Sequence, residues 1–375
     1  MRITAIDTWV VNVPLRVAFA SSFETKSGTT RTVIRVTADD GQVGWGETMH
    51  GRPTRAIVDR IKDDYLGLDP RATAEVGRRN HMAPFFHGYL GYCAIAGLEM
   101  ALFDLVGKTT GTPLHLMLGG ATTKEIPITG LLTRGEVPGA TPSELPRALA
   151  LAASTIVAEG GFRSLKFKGS TDVRFDVAVM RELRRALPDV GLRVDPNAVW
   201  SVPDSLWAAR ELEELNLEYL EDPCDGIEGM ARVSAVTRTP LCTNMCVVRL
   251  EDFAPAVRSN AVQVVHADPH KWGGIHGSVA MHNVCRAFGL GVGLHSGGEL
   301  GISMACDLGV AAALGIDYPA DAMYYLLVED VITEPLRVSG GAIEVPQGPG
   351  LGVEVDMDRL GEFAARNEKE GDHTL

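Results

Sequence analysis

Hydrophobic and polar positions alternate along the first part of the chain and then change to a helical period. Three stretches alternate as half-buried strands do: residues 1–13, 32–38 and 43–47. Asp39-Asp40-Gly41 separates the last two and is a hairpin turn signal. After Pro53 helical spacing dominates, most clearly in residues 91–108. This order predicts a three-stranded meander followed by helices, an α+β unit.

From residue 126 onward, short apolar runs alternate with helical patterns. The first run, 126–132, is followed by a helical pattern over 144–159 and by a second run at 164–167. Six further helical stretches follow, at residues 174–186, 203–215, 230–236, 250–257, 277–288 and 302–314. Strands that alternate with helices in this way predict a parallel sheet, here closed into a (β/α) barrel.

The whole pattern predicts an α/β protein, a modified (β/α) barrel of the TIM type with an N-terminal α+β capping domain. At 375 residues the chain is longer than one average domain. We place the capping domain at residues 1–122 and the barrel at residues 123–341. Residues 342–375 are expected to return to the cap, because Gly/Pro turns separate short strands over 336–355.

Composition narrows the class of function. The net charge of −13 argues against nucleic acid and anionic membrane surfaces as partners. We expect no membrane-spanning segment and no secretion signal. The six cysteines form no CxxC pair, which favours a reduced, cytoplasmic protein. Cys242 and Cys246 are not favoured as a metal pair, because no adjacent thiol or imidazole completes the set.

Polar residues recur at a near-constant interval where successive apolar runs end. They are Lys168, Asp195, Glu221, Asn244, Asp268 and His295. The differences between successive positions are 27, 26, 23, 24 and 27 residues. One strand, one helix and two loops take about 25 residues, so each step returns the chain to the same rim of a barrel. The sequence therefore predicts that these six side chains face one another at the mouth formed by the carboxyl ends of the strands.

Three members of this series carry oxygen donors. Asp195, Glu221 and Asn244 lie on consecutive β/α units. With water and substrate completing the coordination shell, such a set suits Mg²⁺, and Mn²⁺ less well. Because no histidine or cysteine stands at these three positions, Zn²⁺ is disfavoured. We therefore predict a Mg²⁺ site.

The remaining members of the series carry bases. Lys166 and Lys168 are two residues apart on a strand and share one face, so each is expected to lower the pKa of the other and favour a neutral amine. Asp268 precedes His295 by one unit and can orient its imidazole as a second base. His266 is expected to be a packed residue. Bases on both sides of one carbon, with a cation that binds its carboxylate, fit abstraction of an α-proton to give an enediolate.

These motifs resemble the enolase superfamily, in the branch of mandelate racemase and glucarate dehydratase. Four stretches are similar to glucarate dehydratases: DPNAVWS from 195, EDPC from 221, TNM from 243 and ADPH from 267. Asn244 stands where most relatives have Glu, which favours the dehydratase group. The resemblance implies that Lys168 and the His295–Asp268 dyad are the two bases. It also implies that Lys166 neutralises the substrate carboxylate.

The chain departs from glucarate dehydratases at three positions that contact the polyol acid in that group. Gly297 stands where they have Asn, Leu131 where they have Tyr and Met323 where they have His. These departures argue against glucarate itself as the substrate. Residues 21–31 and 49–55 are polar stretches that we expect to be loops over the barrel mouth. His50 and Arg52 are the predicted substrate-binding groups in them.

The leading hypothesis is a Mg²⁺-dependent hydro-lyase that removes water from a small acid sugar, or hydroxy acid, to give a 2-keto-3-deoxy acid. A racemase or epimerase with the same two bases is the alternative, and the residues do not separate the two. A cycloisomerase or a non-catalytic carboxylate binder is less favoured, because a binder needs no base. We expect the protein to be a cytoplasmic homo-oligomer.

Overall fold

The computed structural model describes residues 1–72, 75–77 and 82–373. The cap begins with an antiparallel sheet in the order β1-β2-β3, whose strands are β1 Ile3–Ala20, β2 Thr25–Ala38 and β3 Val43–Met49. The helices that follow in the described part of the cap include α1 Gly51–Ile61, α2 Met82–His87, α3 Tyr89–Thr110 and α4 Leu114–Met117. The predicted meander and the helices after it are confirmed.

The two predicted cap loops are shorter than expected. Most of residues 21–31 belongs to β2, which begins at Thr25 and leaves only a short turn after β1. Thr29, Thr30 and Arg31 are buried and paired with β1, so their polarity does not indicate solvent exposure. Helix α1 begins at Gly51, inside the second predicted loop.

Helix α3 is the central element of the cap. Glycines on β3 allow its backbone to approach closely, since a Cβ at Gly46 would lie 2.0 Å from the carbonyl oxygen of Gly97. By length and composition α3 is apolar enough to cross a membrane, contrary to the sequence-based expectation. However, 78% of its apolar window is buried inside the protein, as in the core helix of a folded domain.

Eight parallel strands form the barrel. They are β4 Glu125–Leu132, β5 Ser164–Lys168, β6 Gly191–Asp195, β7 Tyr219–Glu221, β8 Leu241–Thr243, β9 Val264–His266, β10 Gly291–Gly293 and β11 Ala320–Asp321. Strands β4 to β10 pair in chain order, and β11 pairs with β4. The Asp321 N–H donates to the Leu294 carbonyl at 2.9 Å and brings β11 alongside β10. The predicted barrel architecture is confirmed.

Helices follow the barrel strands, and all but the four-residue helix Pro269–Trp272 lie close to predicted positions. They are α5 Leu145–Gly160, α6 Val173–Ala186, α7 Val202–Leu212, α8 Ile227–Ser234, α9 Phe253–Arg258, α10 Pro269–Trp272, α11 Ile275–Phe288 and α12 Gly301–Leu314. Local chemistry sets their ends, as at α6, where the Asp172 carboxylate accepts hydrogen bonds from the first backbone N–H groups. Leu165 and Phe167 alternate with the lysines of β5 and belong to the hydrophobic core.

The C-terminal segment differs from the prediction in part. Strands β12 Val338–Ser339 and β13 Ala342–Glu344 form a hairpin, and β13 pairs with β4 of the barrel rather than with the cap sheet. The return to the cap follows, first at Gly350, whose N–H donates to the Thr112 carbonyl at 3.0 Å, and then in helix α13 Met357–Glu370. There the Asn367 side chain donates to the Asn12 side chain of β1 at 2.9 Å. The predicted start of the returning segment at residue 342 thus falls inside the β12–β13 hairpin.

Candidate active site

The three predicted oxygen donors meet at the mouth of the barrel. Asp195 ends β6, Glu221 ends β7 and Asn244 follows β8, and all three are buried. The Asn244 amide donates a short hydrogen bond to Glu221. The Asn244 backbone N–H donates to Asp222 Oδ2 at 2.7 Å, which fixes the loop that carries this amide.

The backbone around these donors is strained. Asn197, Ala198 and Asp222 have positive φ angles of 55°, 61° and 35° although none is glycine. Each such residue costs on the order of 1–3 kcal/mol and persists only where its surroundings fix it. The strained turn after β6 directs the Asn197 N–H to Asp195 Oδ1 at 2.9 Å, so the strain helps to orient this carboxylate.

Lys166 and Lys168 point into the barrel from β5, as predicted. Lys168 Nζ lies 2.5 Å from Asp195 Oδ2. Lys166 Nζ lies 2.6 Å from Glu221 Oε2, 2.6 Å from Asp321 Oδ2 and 3.2 Å from Asp195 Oδ2. Burial disfavours the charge of Lys166, but the three carboxylates outweigh it and raise its pKa well above the usual value. For Lys166 the predicted lowering of the pKa by its lysine neighbour is therefore wrong.

The donor set fits a divalent cation. Burial and the charge of Asp195 raise the pKa of Glu221 to about 8. The positive charge nearby is therefore too small to keep both buried carboxylates, Asp195 and Glu221, fully ionised. The lysine charges nevertheless outweigh burial at Asp195 and lower its pKa. Glu221 Oε2 accepts no well-aligned hydrogen bond, although Lys166 lies beside it. Two carboxylates and one amide match the ligands that Mg²⁺ prefers, and they would hold it here.

Asp268 and His295 form the predicted dyad. His295 Nδ1 lies 3.3 Å from Asp268 Oδ2. Burial, followed by the charges of Lys271, Lys166 and Lys168, lowers the pKa of His295 well below its usual value. Burial also raises the pKa of Asp268 to about 7. The imidazole is therefore neutral near pH 7, as a general base must be.

His295 and Lys168 line one cavity from opposite sides of the barrel. The cavity has a volume of about 470 Å³ and also reaches Asn244, Asn197 and the cap residue His50. Lys168 lies on β5 and His295 follows β10, with the three oxygen donors on the strands between them. A substrate carbon in this cavity would thus have one base on each face.

Two charged residues of the site were missed by the sequence analysis. Asp321 ends β11 and holds Lys166 and Arg193, at 2.6 and 3.2 Å. Its position is one further step of the interval, since 321 − 295 = 26. Lys271 donates to the backbone and side-chain oxygens of Asn244, at 2.6 and 2.8 Å. It lies one helical turn after Asp268, and the strand interval gives no signal for it.

Lys271 should set the pH range of His295. In a Lys271→Met variant, loss of the ammonium charge should raise the pKa of His295 and protonate this base at a higher pH. The acidic limb of kcat/KM should then move to higher pH by on the order of one pH unit. The pH profile with the true substrate measures this, and Lys369→Met on the exposed face of α13 is the matched control. An unmoved acidic limb in Lys271→Met would show that this charge does not act on His295.

Structural rather than catalytic positions are occupied by His266, His270 and Cys242. His266 is fully buried beneath the site, and burial lowers its pKa to about 3, which agrees with a packed role. His270 is buried against Arg31, with 3.0 Å between its Nε2 and the guanidinium. Cys242 is near Glu221 and His266, but burial raises the pKa of its thiol well above the usual value, which opposes a thiolate ligand.

His50 and Arg52, the two predicted substrate-binding residues of the cap, lie in different places in the structure. His50 lines the cavity and has a left-handed backbone, with φ of 67°. Arg52 instead points to the C-terminal segment, where it donates to the Asn367 carbonyl at 2.9 Å and lies 3.5 Å from Asp372. Arg52 therefore does not lie with the other site residues. Its partners are more than 300 positions away in the sequence.

Variants at these two positions should therefore differ. His50→Ala should lower kcat/KM on the true substrate about tenfold, because a lining side chain is lost from the cavity. Arg52→Ala should leave kcat/KM within about twofold and lower the thermal midpoint slightly, since exposed ion pairs contribute at most about 1 kcal/mol. Steady-state kinetics and thermal unfolding measure both effects. Equal kinetic losses in the two variants would refute this distinction.

Comparison with known families supports the geometry of the site. Residues 148–359 match the family described as "Enolase C-terminal domain-like". Residues 3–119 match "Mandelate racemase / muconate lactonizing enzyme, N-terminal domain". The chain belongs to the enolase superfamily. It is an enzyme of the mandelate racemase/muconate lactonizing enzyme family, which confirms the resemblance stated from the motifs.

Individual members of the superfamily are similar over nearly the whole chain. A probable glucarate dehydratase of Streptomyces coelicolor is 35% identical over 92% of this chain and 87% of its own length. The N-succinyl-L-Arg/Lys racemase of Bacillus cereus is 25% identical over 97% of this chain and 98% of its own. The comparisons thus include the two reaction classes that the sequence favours most.

Solved structures agree with the fold. A structure described as an isomerase from Streptomyces coelicolor A3(2) is 56% identical, with a TM-score of 0.94 and 99% coverage of both chains. An enolase from Thermobispora bispora, complexed with magnesium and formate, is 32% identical, with a TM-score of 0.89 and coverage of 100% of this chain and 95% of its own. Similar enolase-superfamily structures therefore bind Mg²⁺ together with a small carboxylate.

Proposed function

We propose that this enolase-superfamily enzyme is a Mg²⁺-dependent dehydratase. Its substrate would be a 2,3-dihydroxy carboxylate, the reacting unit of an acid sugar, and its product a 2-keto-3-deoxy acid. The observation that carries the proposal is that Lys168 and His295 line one cavity together with Asn244, the amide member of the oxygen-donor set. The similarity to a probable glucarate dehydratase over 92% of the chain supports the same reaction class.

The substrate carboxylate would be held above β5 to β8. Mg²⁺ bound by Asp195, Glu221 and Asn244 supplies positive charge that stabilises the negative charge developing on the carboxylate. Lys166 is buried at the base of this region and is fixed by Asp321 at 2.6 Å. In this proposal its ammonium group would neutralise the substrate carboxylate.

His295 is suited to both proton transfers of a dehydration. Its neutral imidazole takes the α-proton, and the electrons of the C–H bond move into the carboxylate to give the enediolate. The imidazolium then gives this proton to the β-hydroxyl as the C–O bond breaks and water leaves. The resulting enol becomes the 2-keto acid. For the opposite α-configuration, Lys168 on the other side of the cavity takes the proton.

Racemisation or epimerisation is the second candidate. It uses the same two bases, but the enediolate is reprotonated on the other face and the β-hydroxyl stays in place. The similarity to a Bacillus cereus racemase over 97% of the chain favours this alternative. The similarity to a structure described as an isomerase also favours it.

A substrate screen in D₂O separates the two candidates. The enzyme with Mg²⁺ is incubated with 2,3-dihydroxy acids of varied configuration and length, including mono- and diacid sugars. Keto acid is measured by its semicarbazone, and deuterium at the α-carbon by mass spectrometry. Dehydration predicts keto acid from at least one compound. Deuterium incorporation or epimer formation without keto acid across the panel would replace dehydration by racemisation.

A further inference from the structure

The cavity above the bases is mostly apolar away from the reacting groups. Six apolar side chains line it: Phe19, Phe23, Met49, Met245, Val248 and Met323. They come from the end of β1 and the turn after it, the end of β3, the loop after β8 and the segment after β11. An apolar wall contributed by both the cap and the barrel surrounds the space into which the remote end of a substrate extends.

Two of these side chains are exposed at the cavity mouth. Phe23 has 60% of its surface exposed and Met245 has 42%. Exposed apolar side chains that line a cavity are typical of a ligand-binding surface. Because both also line the cavity that holds Lys168 and His295, a bound substrate is the ligand that would cover them.

The hydroxyl groups that line the cavity already have hydrogen-bond partners. The Ser296 hydroxyl donates to Glu299 at 2.5 Å and accepts from the Met323 N–H. Thr30 donates to Asn12 at 2.8 Å and accepts from the His373 N–H. The Ser21 hydroxyl contacts backbone groups of its own turn, and the Tyr89 hydroxyl contacts the Met49 sulfur at 3.3 Å.

A few polar side chains other than hydroxyls also line the cavity. Lys26 is buried and lies 3.4 Å from Glu24, and His50 and Asn197 are further lining residues. Gly297 offers no side chain, and a Cβ there would lie 2.7 Å from Cε of Met49, so a methionine fills that space. Away from these polar side chains, the hydroxyl groups of a polyol chain would lose water against the apolar wall without gaining equivalent partners.

We propose that the end of the substrate remote from the carboxylate is apolar, an alkyl or aryl group that packs between Phe19 and Phe23 on one side and Met49, Met245 and Met323 on the other. This inference rests on the proposed function for the position of the carboxylate. It replaces the polyol chain of an acid sugar: the 2,3-dihydroxy acid unit is retained, and the chain beyond it is hydrocarbon.

Binding of analogues that cannot lose water tests the proposal without dehydration. A 2-hydroxy acid without a 3-hydroxyl has no leaving group and cannot be dehydrated. Calorimetry on the Mg²⁺-loaded protein would compare two apolar ligands, 2-hydroxyhexanoate and 2-hydroxy-4-phenylbutanoate, with 2,4,5,6-tetrahydroxyhexanoate and 2-hydroxyadipate. At least about tenfold tighter binding of the apolar pair is expected. Equal or tighter binding of the tetrahydroxy acid or of the diacid would overturn the proposal.

Variants at the cavity mouth locate the preference. Phe23→Ser and Met245→Ser should each reduce the preference for the apolar ligands by about threefold to tenfold, because apolar surface is no longer buried on binding. Leu151→Ser on the outer face of α5, where the leucine is 72% exposed, is the matched control and should not change it. An unchanged preference in both mouth variants, with folding confirmed by circular dichroism, would refute the assigned surface.

Failure of the apolar-surface proposal can be distinguished from failure of the dehydratase proposal. If the apolar analogues bind more tightly but no 2,3-dihydroxy acid yields a keto acid, the surface assignment holds and the dehydratase proposal fails. If keto acid forms and the tetrahydroxy analogue binds more tightly, dehydration stands and the apolar assignment fails.

Discussion

Asp195→Asn should lose Mg²⁺ binding and turnover together. The substitution keeps the volume of the side chain but removes the carboxylate whose Oδ2 lies 2.5 Å from Lys168 Nζ. Without this charge the two remaining oxygen donors hold the cation weakly. Several kcal/mol of transition-state stabilisation depend on it, so turnover should fall on the order of 10³-fold. Calorimetric titration with Mg²⁺ and steady-state assays measure the two effects.

The control makes the same substitution outside the site. Asp172 caps helix α6 with its carboxylate, and asparagine is an equally good cap. Asp172→Asn should therefore leave the thermal midpoint, the Mg²⁺ affinity and turnover nearly unchanged. Wild-type Mg²⁺ affinity in Asp195→Asn would exclude this residue as a ligand.

The two bases should serve opposite configurations at the α-carbon. Lys168 and His295 line the same cavity from β5 and from the end of β10. Each base reaches the proton on its own face, so His295→Asn should slow α-proton exchange of one epimer and Lys168→Ala that of the other. Each loss should be about 10²- to 10⁴-fold, the usual contribution of a general base.

Exchange in D₂O, followed by NMR for a pair of epimeric acids, measures this directly. Each epimer is the internal control for the other, because a general disruption of the site lowers both rates. Equal loss for both epimers in either variant would leave a single-base elimination, in which the second residue only assists departure of the β-hydroxide.

The regular interval between strand ends made most of the site predictable. Asp195, Glu221 and His295 each follow an apolar run, so the position of the strand gives the position of the side chain. Asp321 obeys the same interval but ends a strand of only two residues, Ala320–Asp321, which has too few residues to show a pattern. Lys271 lies on a short helix after β9, where the interval carries no information.

Pairings between distant segments could not be predicted from local patterns. Arg52 is polar, near a predicted loop and close in sequence to His50, yet its partners Asn367 and Asp372 lie at the other end of the chain. The charge state of Lys166 depends likewise on Asp321, which the sequence analysis did not assign. Both outcomes depend on tertiary contacts rather than on residue type and spacing.

The contact between the last helix and the first strand has a consequence for biosynthesis. Asn12 bonds to Asn367, and Thr30, which lines the cavity, accepts a hydrogen bond from the His373 N–H. A ribosome makes Thr30 343 residues before His373. The barrel strands lie between them in the sequence, so this part of the cap wall forms only after those strands have been made. A nascent chain therefore carries its bases before it has a finished binding site.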